Sequence, residues 1–442
     1  MTPSEKLDAV VVGAGLSGLT AARELARAGL ETLVLEARSR PGGRTQAAEI
    51  EGVTVDLGGE WVDAAHAEIR HLAADLGITL YPFEQGKENA RWQVRGEVSD
   101  ALPLEGHDAE IYRRMQEALV ETATGADIER PWIGAPEQDP SIEDWLRYAG
   151  MSKDGMHVVE TLISSCGSTA PLERMSFYSY AVKVATRGGP GKGNEFRVEG
   201  GAGSIAEALA ADLGGLVRYS APVTQVRQDA GGVEVRWSGE SGPETVRARR
   251  VIFAIPFTCY RGINFDPEPP PVFRRMVSSS VYGVVRKTFF VFDEPVDSSI
   301  FAVTDTTLGY CCATPDVDGE SRGITSFAGG SPLLPELGLP PEERRRRAMD
   351  LLSGLYSLPE PVAVVEKVWT DEYWTRGSYM IMAPGDMANF GELMGESFGN
   401  IHLAGAEGVA AAPSFMNSAV KAGLRAGREV ARAIGPGVVR TV

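Results

Sequence analysis

The hydrophobic residues at the start of the chain follow the pattern of a strand, a helix and a second strand. Ala9–Val12 is an unbroken apolar run, as expected of a strand that is buried on both faces. Apolar residues then recur at helical spacing from Ser17 to Ala28, and Gly29 is placed to end the helix. Thr32–Leu35 is a second apolar run and is followed by Glu36. Two parallel strands joined by a crossover helix begin a doubly wound sheet, so the predicted fold class is α/β.

The pattern farther along the chain predicts more strands and helices. Three runs alternate apolar and polar residues between glycine-containing turns, which predicts an antiparallel meander over 216–229, 232–239 and 245–256. Further strands are predicted at 281–292, 300–312 and 400–404. Helices are predicted at 141–148 (capped by Ser141), 340–356 and 414–433.

Glycine is the unusual feature of the composition, at 51 of 442 residues, because average usage is about 7%. Surplus glycine indicates many sites where the backbone turns tightly or approaches a ligand. The stretch 186–194 (TRGGPGKGN) is expected to be a flexible connection between domains. The run Arg344–Arg347 is expected on the solvated face of its helix.

The net charge of −17 argues against nucleic acid and membrane surfaces as partners, because an acidic surface repels phosphate groups. The four cysteines form no CxxC pair and fit no disulfide framework, as in a protein kept reduced. The sequence shows neither a signal peptide nor a run of about 18 apolar residues. His66 and His71 are spaced one residue too far apart for an HExxH zinc motif. A cytoplasmic protein without a metal site is therefore predicted.

Gly13, Gly15 and Gly18 form a G-x-G-x-x-G motif between the first strand and the first helix. In a dinucleotide-binding turn, the first glycine permits the tight turn, the second lets the backbone approach a pyrophosphate, and the third lets the helix pack on the strand. The pyrophosphate then lies at the helix N-terminus. Glu36 is placed to accept hydrogen bonds from ribose hydroxyls and disfavours a 2′-phosphate. The alternative is a glycine-rich turn without a ligand.

Three arginines, Arg38, Arg40 and Arg44, surround Gly42–Gly43, and a second glycine pair follows in VDLGGEWV at 55–62. Guanidinium groups neutralise a pyrophosphate through bidentate hydrogen bonds, and paired glycines let the backbone approach a flat or charged ligand. Both features favour a dinucleotide over an isolated turn.

These motifs are similar to those of the flavin-containing amine oxidases, which include monoamine, polyamine and L-amino-acid oxidases. The resemblance continues through 196–209, 251–256, 401–408 and 414–430, so it covers most of the chain. It implies a two-domain fold with a Rossmann-type FAD-binding domain and a mixed α+β substrate-binding domain. The FAD-binding domain is expected from residues 1–80, 196–276 and 385–442, and the substrate-binding domain from 81–195 and 277–384.

The resemblance also implies which residues bind FAD. Val223 matches a position whose backbone contacts the adenine, and Glu407 matches an acidic residue near the ribityl chain. Phe415 and Met416 match the start of a helix that points at the flavin, where a helix N-terminus stabilises negative charge. The expected cofactor-binding residues are Gly13, Gly15, Leu16, Ser17, Gly18, Glu36, Ala37, Arg38, Gly43, Arg44, Gly58, Gly59, Glu60, Trp61, Val223, Glu407, Phe415 and Met416.

Three residues are expected to be catalytic from the resemblance: Lys287, Tyr379 and Phe415. Strand alternation places Lys287 on the inward face with Phe289, and the resemblance implies that it holds a water at flavin N5; the alternative is an exposed lysine. Tyr379 matches one of two aromatic residues that flank the substrate nitrogen. Phe415 replaces the usual tyrosine or tryptophan at the second position and still offers a π-face to an ammonium.

Two departures from the family bear on the cofactor and the substrate. Ser378 stands where members with covalent flavin have a cysteine, so the FAD is expected to be non-covalent. Trp61 stands where some L-amino-acid oxidases have an arginine for the substrate carboxylate. This favours an amine over an amino acid, unless another arginine serves. The small apolar loop at 409–414 leaves room for a larger ligand.

The predicted activity is removal of a hydride equivalent from the carbon next to an amine, which gives an imine that water hydrolyses. Dioxygen would reoxidise the flavin and form hydrogen peroxide. The expected partners are a small-molecule amine and dioxygen, and a homodimer is offered by analogy with the family. The first alternative is a flavin desaturase or oxidase that acts on a C–C or C–N bond of a larger natural product. The second is a non-catalytic flavin- or NAD-binding module.

Overall fold

The computed structural model describes residues 6–84 and 86–435. Leu7–Val12 lies between Thr32–Leu35 and Gly242–Phe253 and is parallel to both strands. This pairing confirms the predicted strand–helix–strand start of an α/β fold. The sheet runs in the order Asn264–Asp266, Val223–Asp229, Gly232–Gly239, Gly242–Phe253, Leu7–Val12, Thr32–Leu35 and Val217–Arg218, with Ile401–Leu403 paired to Gly242–Phe253.

The first strand is buried on both faces, as its apolar run predicts. Ala9 and Val11 belong to a core shared with the helices, whereas Val10 and Val12 belong to a second core on the opposite face of the sheet. The helices that flank this sheet on the first side are Leu16–Arg27, Ala67–Asp75, Gly203–Leu213 and Met416–Ile434.

The first and last of these helices pack closely because glycine lies where they meet. A Cβ on Gly423 would lie 2.3 Å from the carbonyl oxygen of Ser17, and one on Gly427 would lie 2.9 Å from that of Ala21. A side chain at either position would force the helices apart. The closing helix is thereby held beside the glycine-rich turn that precedes the first helix.

A second sheet contains the strands of the middle of the chain. Val285–Val291 is the second strand from one edge, and all seven of its residues are buried. The sheet runs in the order Ala363–Val368, Val285–Val291, Gly323–Gly329, Tyr310–Ala313, Phe301–Thr304, Arg91–Val94 and Glu97–Ser99. Three two-stranded pairs complete the described strands: Ala47–Ile50 with Val53–Asp56, Leu80–Pro82 with Phe196–Val198, and Val281–Tyr282 with Met380–Ile381.

Helices cover the second sheet and connect it to the first. Phe177–Ala185 packs on Gly106–Thr124, and Thr161–Ser168 is a π-helix that contacts the strand Gly323–Gly329. A π-helical segment is rare and is frequently found at functional sites. The other α-helices are Ile142–Tyr148, Lys153–Glu160, Phe257–Tyr260, Pro271–Ser279, Pro341–Leu355 and Asp386–Phe390. The 3₁₀ segments are Lys87–Asn89, Leu172–Arg174, Gly214–Leu216, Ser331–Glu336, Trp369–Asp371, Glu392–Gly395 and Ala406–Gly408.

Several local predictions are confirmed and four are corrected. The strand predicted at 281–292 is two strands, because Val281–Tyr282 pairs with Met380–Ile381 and Val285–Val291 belongs to the second sheet. Ser141 caps its helix by accepting a hydrogen bond from Asp144 N. The single strand predicted at 300–312 is a hairpin of two strands, since Phe301–Thr304 turns into Tyr310–Ala313. The run at 216–229 also divides, because Val217–Arg218 pairs with Thr32–Leu35 before the meander begins. Arg344 is buried and ion-paired with Glu366, so this part of the arginine run does not lie on a solvated face.

Within the described ranges, no helix combines the length and the apolar character needed to cross a membrane. The strands of the first sheet come from 7–35, 217–266 and 401–403, and those of the second sheet from 91–99 and 285–368. Each sheet therefore combines segments that are distant in sequence, and residues from both sheets line the same cavity.

Candidate active site

A continuous cavity of about 810 Å³ extends from the carboxyl ends of Leu7–Val12 and Thr32–Leu35 to the second sheet. Val12 and Glu36 line one end of it, and Phe301 and Phe327 line the other. Open α/β sheets bind ligands at the carboxyl ends of their strands. Of the residues expected to bind FAD or to be catalytic, all line this cavity except Gly18 and Glu407.

The three glycines of the first motif have three different surroundings. Gly13 has φ +101°, and a Cβ there would lie 2.7 Å from Ala254 O. A Cβ on Gly18 would lie 1.9 Å from Gly13 O, so this glycine permits helix and strand to pack together. Gly15 is only partly buried, and a Cβ there would make ordinary van der Waals contact with Gly42 O at 3.9 Å rather than a clash. This geometry fits backbone that is accessible to a pyrophosphate.

Glu36 is held in a defined orientation at the end of its strand. The carboxylate accepts a hydrogen bond from Ala14 N at 2.7 Å and another from Arg38 N at 2.8 Å. Each carboxylate oxygen retains acceptor capacity beyond these bonds. Because Glu36 is buried and lines the cavity beside Val223, it is placed to accept hydrogen bonds from a bound ribose.

The three arginines after Glu36 have separate partners. Arg38 donates to Glu372 and to Thr375 and lines the cavity. Arg40 donates to the carbonyl oxygens of Pro41, Gly43 and Thr45, and it is not part of the cavity wall that the described residues form. The expectation that Arg40 neutralises a pyrophosphate is therefore wrong: it braces the turn of its own loop.

Arg44 is fixed by a buried carboxylate. Its two terminal nitrogens lie 2.8 and 3.0 Å from the two carboxylate oxygens of Glu407, which is completely buried and also accepts a hydrogen bond from Tyr282 at 2.8 Å. Burial, and then the Glu407 carboxylate, raise the pKa of Tyr282 well above its ordinary value. Glu407 thus acts on the cavity through Arg44 rather than lining it.

Lys287 faces inward, as strand alternation predicts, and is buried among charged groups. Its ammonium nitrogen lies 2.6 Å from Asp56 O, 3.0 Å from Gly58 O and 2.6 Å from Glu60 Oε2. These acceptors account for all three N–H donors of the ammonium. The resemblance implies that Lys287 holds a water at flavin N5. Such a water would have to share an N–H donor of Lys287 with one of these three acceptors or take the place of that acceptor.

Two further charged residues complete the group around Lys287. Arg197 Nη2 lies 3.3 Å from Glu60 Oε1 and 4.0 Å from Asp56 Oδ2. Burial, and then the neighbouring Glu60 carboxylate, raise the pKa of Asp56 to about 7. The loop that carries Gly58, Gly59 and Trp61 is therefore tied to the second sheet by buried charge pairs.

The aromatic residues at the other end of the cavity surround a lysine. Lys183 Nζ lies 5.2 Å from the ring centroid of Tyr379 and 5.5 Å from that of Phe415. Tyr379 donates its hydroxyl hydrogen bond to Gly167 O, which belongs to the π-helix. The structure thus brings the two predicted aromatic residues together and adds a cation between them.

The sequence analysis did not identify Lys183 or its neighbours. Tyr180, Lys183 and Arg187 follow one another at i, i+3 and i+7, so they lie on one face of the helix Phe177–Ala185 and its extension into the next turn. The sequence does contain a signal for these three residues, because polar side chains recur at helical spacing within an otherwise apolar helix. Asp63, which pairs with Arg187 at 2.8 Å, carries no comparable local signal.

The glycine-rich turn, the buried carboxylate at the end of the next strand and the cavity that joins two sheets are the features of a dinucleotide-binding protein. The chain belongs to the family of flavin containing amine oxidoreductases, whose profile matches residues 16–431. It is accordingly an FAD-dependent enzyme that oxidises amines.

Individual relatives are similar over nearly the whole chain. "Probable flavin-containing monoamine oxidase A" of Dictyostelium discoideum is 26% identical, with 96% of this chain and 97% of the relative covered. Wild-type putrescine oxidase bound to putrescine is 25% identical, with a TM-score of 0.87 over 97% of this chain and 100% of the other. Cyclohexylamine oxidase from Brevibacterium oxydans is also 25% identical, with a TM-score of 0.85 and the same coverage.

Proposed function

We propose that the protein binds FAD non-covalently along the cavity and oxidises a small-molecule amine at the aromatic end, with dioxygen as electron acceptor. One observation carries the proposal: a single cavity has the dinucleotide-binding turn at one end and Tyr379 and Phe415 at the other. A cavity of this kind lets one elongated cofactor connect a nucleotide site to a substrate site.

The residues present fit FAD. Glu36 is proposed to accept from the ribose hydroxyls, and the backbone of Gly15 and the N-terminus of helix Leu16–Arg27 are proposed to bind the pyrophosphate. Gly58 and Gly59 lack side chains where a Cβ would approach Arg44 O at 2.1 Å and Met416 Sδ at 2.9 Å. Glycine at both positions therefore lets this loop pack closely on Arg44 and Met416 while its backbone lines the cavity. The other proposed cofactor contacts are Gly13, Leu16, Ser17, Ala37, Arg38, Gly43, Glu60, Trp61, Val223, Phe415 and Met416.

Ser378 supports non-covalent attachment. Its hydroxyl lies 3.0 Å from Thr169 Oγ1 and 3.1 Å from Gly283 O. A serine offers no thiolate for a thioether bond. Cys259 also lines the cavity, but its thiol donates to Trp374 O, and burial raises its pKa, which disfavours the reactive thiolate.

Tyr379 and Phe415 are proposed to orient the substrate, and Lys287 to position the loop that carries Trp61. The bound flavin would accept a hydride equivalent, comprising two electrons and one proton, from the carbon next to nitrogen and pass both electrons to dioxygen as peroxide. The substrate nitrogen also loses a proton, and water then hydrolyses the resulting C=N bond. The wall formed by Trp61, Tyr310 and Phe327 is proposed to exclude bulk water from the reacting carbon.

We also propose that the two sheets mark two units. Residues 1–80, 196–276 and 385–442 would form the FAD-binding unit, and 81–195 and 277–384 the substrate-binding unit. Support comes from the strands, since every strand of each large sheet falls within the corresponding segments.

A cytoplasmic location and a homodimer complete the proposal. The first rests on the acidic, cysteine-poor sequence and the second on analogy with the family.

The test is anaerobic titration of the purified yellow protein with a panel of amines. Loss of the oxidised-flavin absorbance, followed by its return and by peroxide formation when oxygen is admitted, is the expected result. A flavin that no amine reduces would overturn the proposed activity and direct attention to a larger C–C or C–N substrate.

A further inference from the structure

The aromatic end of the cavity is cationic although the chain as a whole carries a net charge of −17. Lys183 and Arg187 line the cavity wall, and Lys87 and Lys192 line it from exposed positions. The ammonium of Lys183 approaches Tyr379 and Phe415, and the guanidinium of Arg187 lies 5.6 Å from the centroid of the same Phe415 ring. Two cations therefore occupy the region where the substrate is proposed to bind.

The carboxylates near these cations already have partners. Asp63 accepts from Arg187 Nε at 2.8 Å and from Asn194 N at 2.6 Å. Glu60 is paired with Lys287 and with Arg197. By contrast, Lys183 Nζ makes no hydrogen bond or ion pair with any group in the part of the chain that the structure describes. Because Arg187 is paired with Asp63, a protonated Lys183 is a positive charge that no carboxylate compensates.

We propose that Lys183, together with Arg187, forms an anion subsite that selects an amine bearing a carboxylate. This inference rests on the proposed amine oxidation and names its substrate class. The single uncompensated charge matches one carboxylate, and the ammonium supplies three donors that the protein does not use. The aromatic wall around Tyr310 and Phe327 is suited to an apolar or aromatic remainder of the substrate.

The same arrangement disfavours simple cationic amines and diamines. A second ammonium would be placed near Lys183 and Arg187 without a free carboxylate, and like charges in a water-poor cavity repel strongly. Burial, and then the neighbouring Arg187, lower the pKa of Lys183 to about 7. A bound carboxylate would favour the protonated lysine, so binding and protonation would reinforce each other.

This subsite changes the expectation drawn from Trp61, which argued against a substrate carboxylate. The cation comes from the helix Phe177–Ala185 rather than from the loop of Trp61. Lys183 is therefore assigned as a specificity-determining residue on the opposite side of the cavity from the nucleotide-binding turn.

The first experiment compares substrates that differ by one group. Phenylalanine, phenethylamine and putrescine are mixed anaerobically with the FAD-loaded enzyme, and flavin reduction is followed by stopped flow. We expect kcat/KM for phenylalanine to exceed that for either amine by tenfold or more. Lys183→Met should remove that preference by lowering kcat/KM for phenylalanine at least tenfold relative to kcat/KM for phenethylamine. Equal kcat/KM values for phenylalanine and phenethylamine in the parent enzyme would overturn the inference.

The second experiment needs no turnover. The carboxylate 3-phenylpropionate, which has no amine to oxidise, is titrated into the holoenzyme, and its Kd is measured from the perturbed flavin spectrum. We expect at least a tenfold weaker Kd in Lys183→Met, recovery in Lys183→Arg, and no change in the control Lys153→Met, whose side chain is exposed on another helix. An unchanged Kd in Lys183→Met, or no binding to the parent, would overturn the inference.

The two experiments separate this inference from the proposed function. If no amine reduces the flavin, the proposed activity fails, whereas the Kd series still decides whether an anion subsite exists. If amines reduce the flavin and the Kd is independent of residue 183, the activity stands and the anion subsite fails.

Discussion

The ammonium nitrogen of Lys287 lies 2.6 Å from Glu60 Oε2, and both side chains are almost completely removed from solvent. Lys287 belongs to the strand Val285–Val291 of the second sheet, whereas Glu60 belongs to the loop that follows Val53–Asp56. The ion pair therefore connects the second sheet to the glycine-containing loop of the proposed flavin site. Arg197 Nη2 also lies 3.3 Å from Glu60 Oε1, so Glu60 retains one cationic partner when Lys287 is replaced.

Lys287→Met should both destabilise the protein and slow its redox chemistry. Breaking a buried ion pair costs about 3–5 kcal/mol when the remaining charge is left uncompensated, and the cost should be lower here because Arg197 still pairs with Glu60. We expect FAD to remain bound and at least one flavin half-reaction to slow about tenfold, which corresponds to ~1.4 kcal/mol of barrier. Denaturant unfolding and stopped-flow measurement of each half-reaction check the two effects.

The matched control removes both charges, in Lys287→Met with Glu60→Gln. It should be more destabilised than Lys287→Met alone, because Glu60→Gln also removes the carboxylate that lies 3.3 Å from the buried Arg197. The positioning role of Lys287 would be contradicted if Lys287→Met had the same free energy of unfolding as the parent and if both of its half-reaction rates were within twofold of the parent rates.

Glu36→Gln should weaken FAD binding while preserving the shape of the side chain. The carboxylate is buried at the cavity wall and is proposed to accept from ribose hydroxyls. Losing a charge-assisted hydrogen bond costs about 1.5–3 kcal/mol, or roughly tenfold to hundredfold in affinity. FAD retention after dialysis measures the effect, and exposed Glu31→Gln is the control. Equal retention in both variants would show that Glu36 does not contact the ribose.

The cofactor should be extractable, because Ser378 cannot form a thioether. Precipitating the yellow protein with acid should leave the colour in the supernatant. Colour that remains with the denatured pellet would indicate covalent attachment and refute this expectation.

Carboxylate binding should weaken as pH rises above neutrality. Below pH 7 Lys183 is protonated and can bind an anion; above its pKa of about 7 the free enzyme loses that proton. The Kd of 3-phenylpropionate should then rise by up to about tenfold per pH unit. Titrations between pH 6 and about 9 test this, and Lys183→Arg should give a flat profile because arginine stays charged.

The charged groups that face Lys183, namely Arg187 and Asp63, are paired with each other. A parent profile as flat as that of the arginine variant would rule out control by Lys183.

Gly423→Ala should destabilise the contact between the first and last helices. The added Cβ would lie 2.3 Å from Ser17 O, and overpacking of this kind costs about 1–3 kcal/mol. Gly354→Ala is a suitable control, because that glycine is exposed on the helix Pro341–Leu355 and has nothing within 4 Å of a new Cβ. The control should be stabilised by about 0.5–1 kcal/mol. Thermal unfolding compares the two, and equal midpoints would contradict the close packing inferred at Gly423.

The sequence by itself determined the features that depend on neighbouring residues. An unbroken apolar run predicted a buried strand at Ala9–Val12, which in the structure begins two residues earlier, at Leu7. The spacing of Gly13 and Gly18 predicted a tight turn, and a Cβ at either position would clash with neighbouring backbone. Strand alternation likewise predicted that Lys287 faces inward. These inferences succeed because backbone periodicity and steric limits act over a few residues.

The tertiary structure decided which charged groups meet. Arg40 and Arg44 lie four residues apart, yet one braces its own loop and the other pairs with Glu407 from the far end of the chain. The burial of Arg344 depends on Glu366 from the neighbouring strand, and the position of Lys183 depends on rings supplied by Tyr379 and Phe415. A charge can be buried only where folding brings compensating groups to it, and these groups come from segments whose proximity no local pattern specifies.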